Sequence, residues 1–157
     1  MKGMQMLLVD TPAELATHCG QSLGASQWFT VTQDQIDHYA RLTGDDHWVH
    51  VDVDRAQREM PEGKTIAHGF FILSLIPVLA RDIFRISRRG KGLNYGLNHL
   101  RFVSPVPVGS QVRLQQTLVD AQPKNGGTLF TFSNTFEIKG EERPALVATM
   151  LLLIYDE

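Results

Sequence analysis

Cysteine is almost absent: Cys19 stands alone in 157 residues. An internal disulfide is excluded, and the composition fits a reducing, cytoplasmic setting. Long hydrophobic runs are missing too. The longest apolar stretch, GFFILSLIPVLA at 69–80, is well short of the roughly 20 residues a helix needs to cross a bilayer, and is read as a buried helix with no membrane role. The opening MKGMQMLLVD holds one lysine and a four-residue apolar run, too short for a signal peptide. There is no excess of positive charge. The formal net charge is −2, which argues against a nucleic-acid partner. No repeat or low-complexity tract is visible. With 43% hydrophobic and 20% charged residues, the chain reads as one globular domain over 1–157, large enough to bury a core without staples.

The first half reads as helical. TPAELATHCG has Thr11 as N-cap, Pro12 at the first position and Gly20 beyond the end, so 1–26 is read as an N-terminal helical extension. SQWFTV looks like a strand. TQDQIDHYARLTG follows as a helix, with a Thr32/Gln35 capping box, Ile36, Tyr39 and Leu42 on one face, and Gly44 at its end. Asp54 is placed to cap a short helix running to Met60, and PEGK is a turn. TIAHGFFILSLIPVLARDIFRISRRG is apolar almost all round from Phe70 to Leu79, which predicts a buried central helix, kinked or broken at Pro77, with a basic C-terminal end.

After Gly92 the pattern changes. LNYGLNHLRFV, SQVRLQQTLVD, TLFTFSNTFEI and ALVATMLLLIY are rich in β-formers and separated by SPVPVG, PKNGG and KGEERP. Phe130, Phe132, Phe136 and Ile138 share one face at period two. ALVATMLLLIY is apolar on both faces and reads as a central strand. Helices first and antiparallel strands after predict an α+β domain, a curved sheet laid against one long helix.

Two stretches suggest chemistry. TGDDHWVHVD at 43–52 sets Asp45 five residues before His50. A carboxylate beside an imidazole orients the ring and raises its proton affinity, and such a pair can exchange protons with one water. A turn-capping aspartate and a satisfied core histidine would produce the same letters. A metal site built from His47 and His50 with Asp45 or Asp52 is a further reading, although no HExxH spacing supports it. Asp46 and Asp52 read as turn or surface acids. In IAHGFF, Gly69 stands where the buried helix begins. Free N–H groups there can hold a carbonyl oxygen as it gains charge, or the glycine simply fits a tight corner. Ser74 is expected to bond back to its own helix and His68 to be packed or supporting. No GxSxG elbow supports a serine hydrolase.

These stretches together resemble the MaoC-like dehydratases, the (R)-specific enoyl-CoA hydratases with a hot-dog fold. YARLTGDDHWVH matches the family's loop, GKTIAHGFFILSL its His-Gly stretch opening the central helix, and LRFVSPVPVGSQVR its strand, proline turn and strand. Where the family has Asn-Pro, this chain has His47-Trp48. With NYGLNHLRF, that places it nearer the nodulation-protein-N-like branch.

The resemblance implies reversible syn hydration of trans-2-enoyl-CoA to (3R)-3-hydroxyacyl-CoA, a reaction of fatty-acid metabolism. Asp45 and His50 would be catalytic. Gly69, Ser74, His68 and Tyr95 would bind substrate. No metal or other cofactor is implied, and the expected assembly is a homodimer. Arg81 to Lys91, and Arg101, are candidates for the CoA phosphates. A thioesterase on the same fold would want a carboxylate on the central helix, and none lies between Gly69 and Arg81. A non-catalytic acyl-thioester binder would have no need of both Asp45 and His50.

Overall fold

The computed structural model describes residues 6–157. Two short strands, β1 (Leu7–Val9) and β2 (Ser22–Ala25), flank α1 (Pro12–Ala16). The Thr11 side chain caps α1 by accepting from the Glu14 N–H. Of the 1–26 segment read as a helical extension, residues 1–5 lie outside the described residues; 6–26 are only partly helical, and β2 joins the main sheet. β3 is a two-residue strand, Phe29–Thr30. α2 (Gln33–Thr43), α3 (Trp48–Val51) and α4 (Val53–Glu59) follow.

α2 begins on the capping box read from the sequence, with Thr32 and Gln35 bonding each other's backbone, and ends on Gly44 in the left-handed region at φ 78°. Its buried face carries Ile36 and Ala40, while Leu42 is 84% exposed. Leu42 is thus removed from the expected core set. α4 is capped by Asp52, which accepts from the Arg55 N–H, and not by Asp54.

The expected long helix is broken. α5 (Gly69–Ser74) is followed by α6 (Ile76–Leu79) and a 3₁₀ turn at Ala80–Asp82. Pro77 sits in the first turn of α6, where its missing N–H costs nothing. The helical reading fails beyond Asp82. Phe84–Ile86 alternates half-buried, exposed and buried, and forms β4, a parallel partner of β1. Nor is the rod buried all round: Phe70 is 62% exposed.

The four late strands appear as read: β5 (Gly92–Phe102), β6 (Gln111–Lys124), β7 (Gly127–Ile138) and β8 (Leu146–Tyr155). The antiparallel sheet runs β2-β6-β7-β8-β5, with β3 also on β6. β8 is interior, as its two apolar faces require. Asn125 (φ 49°) and Gly126 (φ 80°) make the two-residue turn joining β6 to β7, the residue pair a type I′ hairpin favours.

Phe130, Phe132, Phe136 and Ile138 all point into the core. Under α5 and α6, Ile72, Ile76 and Leu79 pack on Leu114, Phe136 and Leu146. A second cluster joins Val9, Leu15 and Ile86 to Phe130, Phe132 and Ile154. α5 contacts β8 and α6 contacts β6, so the rod crosses the sheet diagonally. No described helix is long and apolar enough to cross a membrane.

Ile36 and Leu42 lie on the same helix and test this packing. Ile36→Ala should cost roughly 2–5 kcal/mol, and Leu42→Ala less than about 0.5 kcal/mol. Urea unfolding of both variants checks it, and equal losses would contradict the burial of α2.

Candidate active site

The stretch from Thr43 to Asp52 is built around one turn of helix. After α2 stops at Gly44, Asp45 to His47 belong to no regular element and α3 carries Trp48 to His50. Trp48 and Val49 are only half-buried, and the Arg55 guanidinium covers the Trp48 ring at 4.2 Å. Apolar anchoring is therefore less than the sequence suggests, and hydrogen bonds hold the turn in place. The Ile66 N–H donates to the Val49 carbonyl (3.0 Å). Gln33 donates from Nε2 to the His50 carbonyl (2.8 Å) and to Asp37 Oδ1 (2.8 Å). The buried Thr65 hydroxyl donates to Gln33 Oε1. Gln33 is thus a hub joining α2, α3 and the 65–67 segment. Its position on a polar helix turn gave no sign of this in the sequence.

The His50 ring is fixed as tightly as its backbone. Nδ1 lies 2.7 Å from the Ile66 carbonyl. A carbonyl only accepts, so Nδ1 carries the proton and Nε2 of the neutral ring keeps its lone pair. Burial pushes the His50 pKa below the ordinary imidazole value, and the neighbouring His68 and His47 rings add to this. The Ile66 hydrogen bond and Asp45 oppose it.

His68 is buried and stacks on His50, with ring centroids 3.8 Å apart. Its Nε2–H donates to the Asp45 carbonyl (2.8 Å), and the Tyr39 ring packs against it with centroids 4.9 Å apart. Nδ1 of His68 has no partner among the described residues. The Asp45 carboxylate, a His50 nitrogen and a His68 nitrogen lie within 4.8 Å of one another. The structure therefore brings together the two residues read as a pair and adds His68, which holds the Asp45 backbone and the His50 ring.

The other sequence candidates separate. Gly69 opens α5 directly after His68, and no hydrogen bond among the described residues takes its N–H. A Cβ there would lie 2.8 Å from the Phe102 ring, so close packing as well as backbone access calls for glycine. Ser74 is exposed and donates to the Phe71 carbonyl (2.6 Å), the local bond expected of a lone helical serine. Tyr95 does not join the cluster. It lies on exposed β5 with the Lys124 ammonium 4.9 Å from its ring centre. Seven residues of strand separate it from Phe102, roughly 23 Å.

As for a metal, Asp45, His50 and His68 could each offer one ligand atom. His47 and Asp52 do not belong to that set: Asp52 is the cap of α4. Arg81, Arg85 and Arg89 line a cavity between α6 and the sheet, whereas Arg101 turns back to the Leu100 carbonyl.

The state of His50 can be read directly. Because its folded pKa lies below the ordinary 6.5, the unfolded chain binds this proton more readily. The His50 contribution is intact above about pH 6.5, and stability declines as pH falls below that value. An NMR titration of the His50 ring should show a midpoint below 6.5. A midpoint at or above it would contradict the buried, carbonyl-bound ring.

Comparison with known proteins identifies the family. A family model described as MaoC like domain matches residues 14–136. The chain is 41% identical over 148 residues to 3-hydroxyacyl-thioester dehydratase Z of Mycobacterium tuberculosis, covering 94% of this chain and 97% of that one. It is also 41% identical over 152 residues to nodulation protein N of Rhizobium leguminosarum bv. viciae, covering 96% and 92%. Among solved structures, the unliganded (R)-hydratase PhaJ1 of Pseudomonas aeruginosa superposes with a TM-score of 0.74 at 20% identity, covering 92% and 85%. That likeness is one of fold, the hot-dog arrangement of a sheet around a central helix. On the family match and the two near full-length relatives, the chain belongs to the MaoC-like dehydratases.

Proposed function

We propose that this protein is an (R)-specific enoyl-thioester hydratase/dehydratase, adding water reversibly and syn across a trans-2-enoyl-CoA to give a (3R)-3-hydroxyacyl-CoA. The observation that carries this is the neutral His50 with Nε2 unprotonated, in a cluster with the Asp45 carboxylate within 4.8 Å. His68, stacked on His50, directly precedes Gly69, whose N–H has no partner among the described residues. Family membership and the relative named as a 3-hydroxyacyl-thioester dehydratase support the reaction class.

The steps follow from these groups. The thioester carbonyl is held at the Gly69 N–H, which makes C3 electrophilic. As the water oxygen bonds to C3, its proton passes to His50 Nε2 and the C2=C3 electron pair moves into the enolate. A proton from the Asp45/His50 pair then goes to C2 and the carbonyl re-forms. Water is added whole, and the pair ends as it began. Asp45 stabilises the transient imidazolium. His68 keeps both in place. The acyl chain lies in the cavity of about 760 Å³ beside α6, whose apolar wall is Ile76, Phe132, Met150 and Leu152 and whose charged side carries Arg81, Arg85 and Arg89.

A homodimer belongs to the same reading. β5 is an eleven-residue edge strand with Leu93, Tyr95, Leu97 and Phe102 exposed. A long apolar edge invites pairing with another strand, and a second copy laid β5 against β5 would cover it and wall the open side of the cavity. Dimeric mass in sedimentation velocity is expected, and Leu97→Asp should yield monomer. A monomeric wild type would contradict the assignment of β5.

Incubation with crotonyl-CoA and a longer trans-2-enoyl-CoA tests the reaction. Loss of conjugated thioester absorbance with formation of the (3R) product is expected. Asp45→Asn and His50→Ala should each lower kcat by about 10²- to 10⁴-fold, and EDTA should leave the rate unchanged. Release of free CoA with the double bond intact would instead support a thioesterase, and rates unaffected by either substitution would remove the pair from the mechanism.

A further inference from the structure

The core face of the sheet is apolar with one exception. On β6 the inward positions are Val112, Leu114, Gln116 and Leu118, and on β7 they are Phe130, Phe132, Asn134, Phe136 and Ile138. Gln116 and Asn134 are paired directly across the two strands. They are 3% and 1% exposed, in places where alternation calls for hydrophobic side chains. Gln116 Nε2 donates to Asn134 Oδ1 (2.8 Å), and Asn134 Nδ2 donates to the Phe132 and Ala148 carbonyls. Gln116 Oε1 has no partner among the described residues. A buried acceptor left in that state is costly.

The side chain that carries this acceptor lines a cavity. Gln116 lines the cavity of about 760 Å³, together with Ile76 and Pro77 of α6 and with Phe132, Met150 and Leu152 of the sheet. The rod above it starts at Gly69 against Phe102 of β5 and ends with α6 over β6. From Phe102 to Gln116 is three strand spacings across the sheet, roughly 14 Å, and one pleat repeat of about 7 Å along it. A chain held by its carbonyl at Gly69 and following the rod would bring its distal carbons to Gln116.

We infer that Gln116 is a specificity-determining residue: its Oε1 accepts a hydrogen bond from a donor group, a hydroxyl or an amide N–H, on the distal part of the acyl chain. The preferred substrates are then functionalised acyl thioesters and not plain fatty chains. Asn134 holds the Gln116 amide through Nε2 and leaves Oε1 as its free acceptor. The inference rests on the hydratase reading for the position of the thioester, but binding can be measured without turnover.

Calorimetry with saturated acyl-CoAs of six, eight and ten carbons, each compared with its ω-hydroxy counterpart, separates the two. For at least one length the hydroxylated chain should bind wild type about tenfold tighter. That preference should vanish in Gln116→Leu/Asn134→Leu, which removes both halves of the pair, and in Gln116→Met, which keeps Asn134 should the double variant fold poorly. Equal affinity within all three pairs overturns the inference, as does a preference that survives in the variants or no binding of any of the six ligands. Turnover of trans-2-octenoyl-CoA is scored separately. Absent turnover with a retained hydroxyl preference counts against the hydratase reading alone.

Discussion

The hydrogen bond from His50 Nδ1–H to the Ile66 carbonyl (2.7 Å) is the contact on which the site depends. It sets the tautomer, aims Nε2 outward and ties α3 to the segment that leads into α5. That segment is held from three sides. Ile66 bonds to Val49, Ala67 donates to Val106, and Thr65 bonds to both Gln33 and Val108. A histidine whose orientation is fixed by a backbone carbonyl needs no further ordering at the moment of proton transfer. Burial supplies the second condition, because it keeps the ring neutral and ready to accept a proton.

The sheet and the broken rod give this site its direction. α5 begins at the cluster and α6 ends over β6, so one diagonal element runs from the cluster to the cavity. The break between Ser74 and Ile76 lets the rod turn while its buried residues stay in one core. Exposed Phe70 and Phe102, with ring centroids 5.4 Å apart, lie beside Gly69 on the side where β5 is uncovered. The Asp45, His50 and His68 cluster and the open edge are therefore neighbours.

Much of this was legible in the sequence because the local signals are strong. Period-two phenylalanines, the Asn-Gly turn, the Thr32/Gln35 box and Gly44 each act through their own backbone and need no distant partner. The Asp45–His50 spacing was legible for the same reason, since one turn of helix joins them. What sequence could not show is long-range. The last part of the basic stretch becomes β4 because β1, nearly 80 residues earlier, offers it a parallel partner. Leu42 fits the helical period but meets nothing. Tyr95 shares a strand with Phe102 yet lies far from the cluster. Gln33 and the Gln116/Asn134 pair matter through partners that only the fold supplies. Asn134 did leave a trace, as the one polar residue in a row of inward phenylalanines.

The central claim is that one acid–base pair, on one face of the substrate, delivers both parts of water. Hydration of a trans-2-enoyl-CoA in D₂O tests it most directly, with the configuration at C2 and C3 read by NMR. A single deuterium at C2, syn to the new C3 hydroxyl, is expected from groups clustered within 4.8 Å. Anti addition, or deuterium scrambled over both C2 positions before product release, would contradict a single Asp45/His50 face.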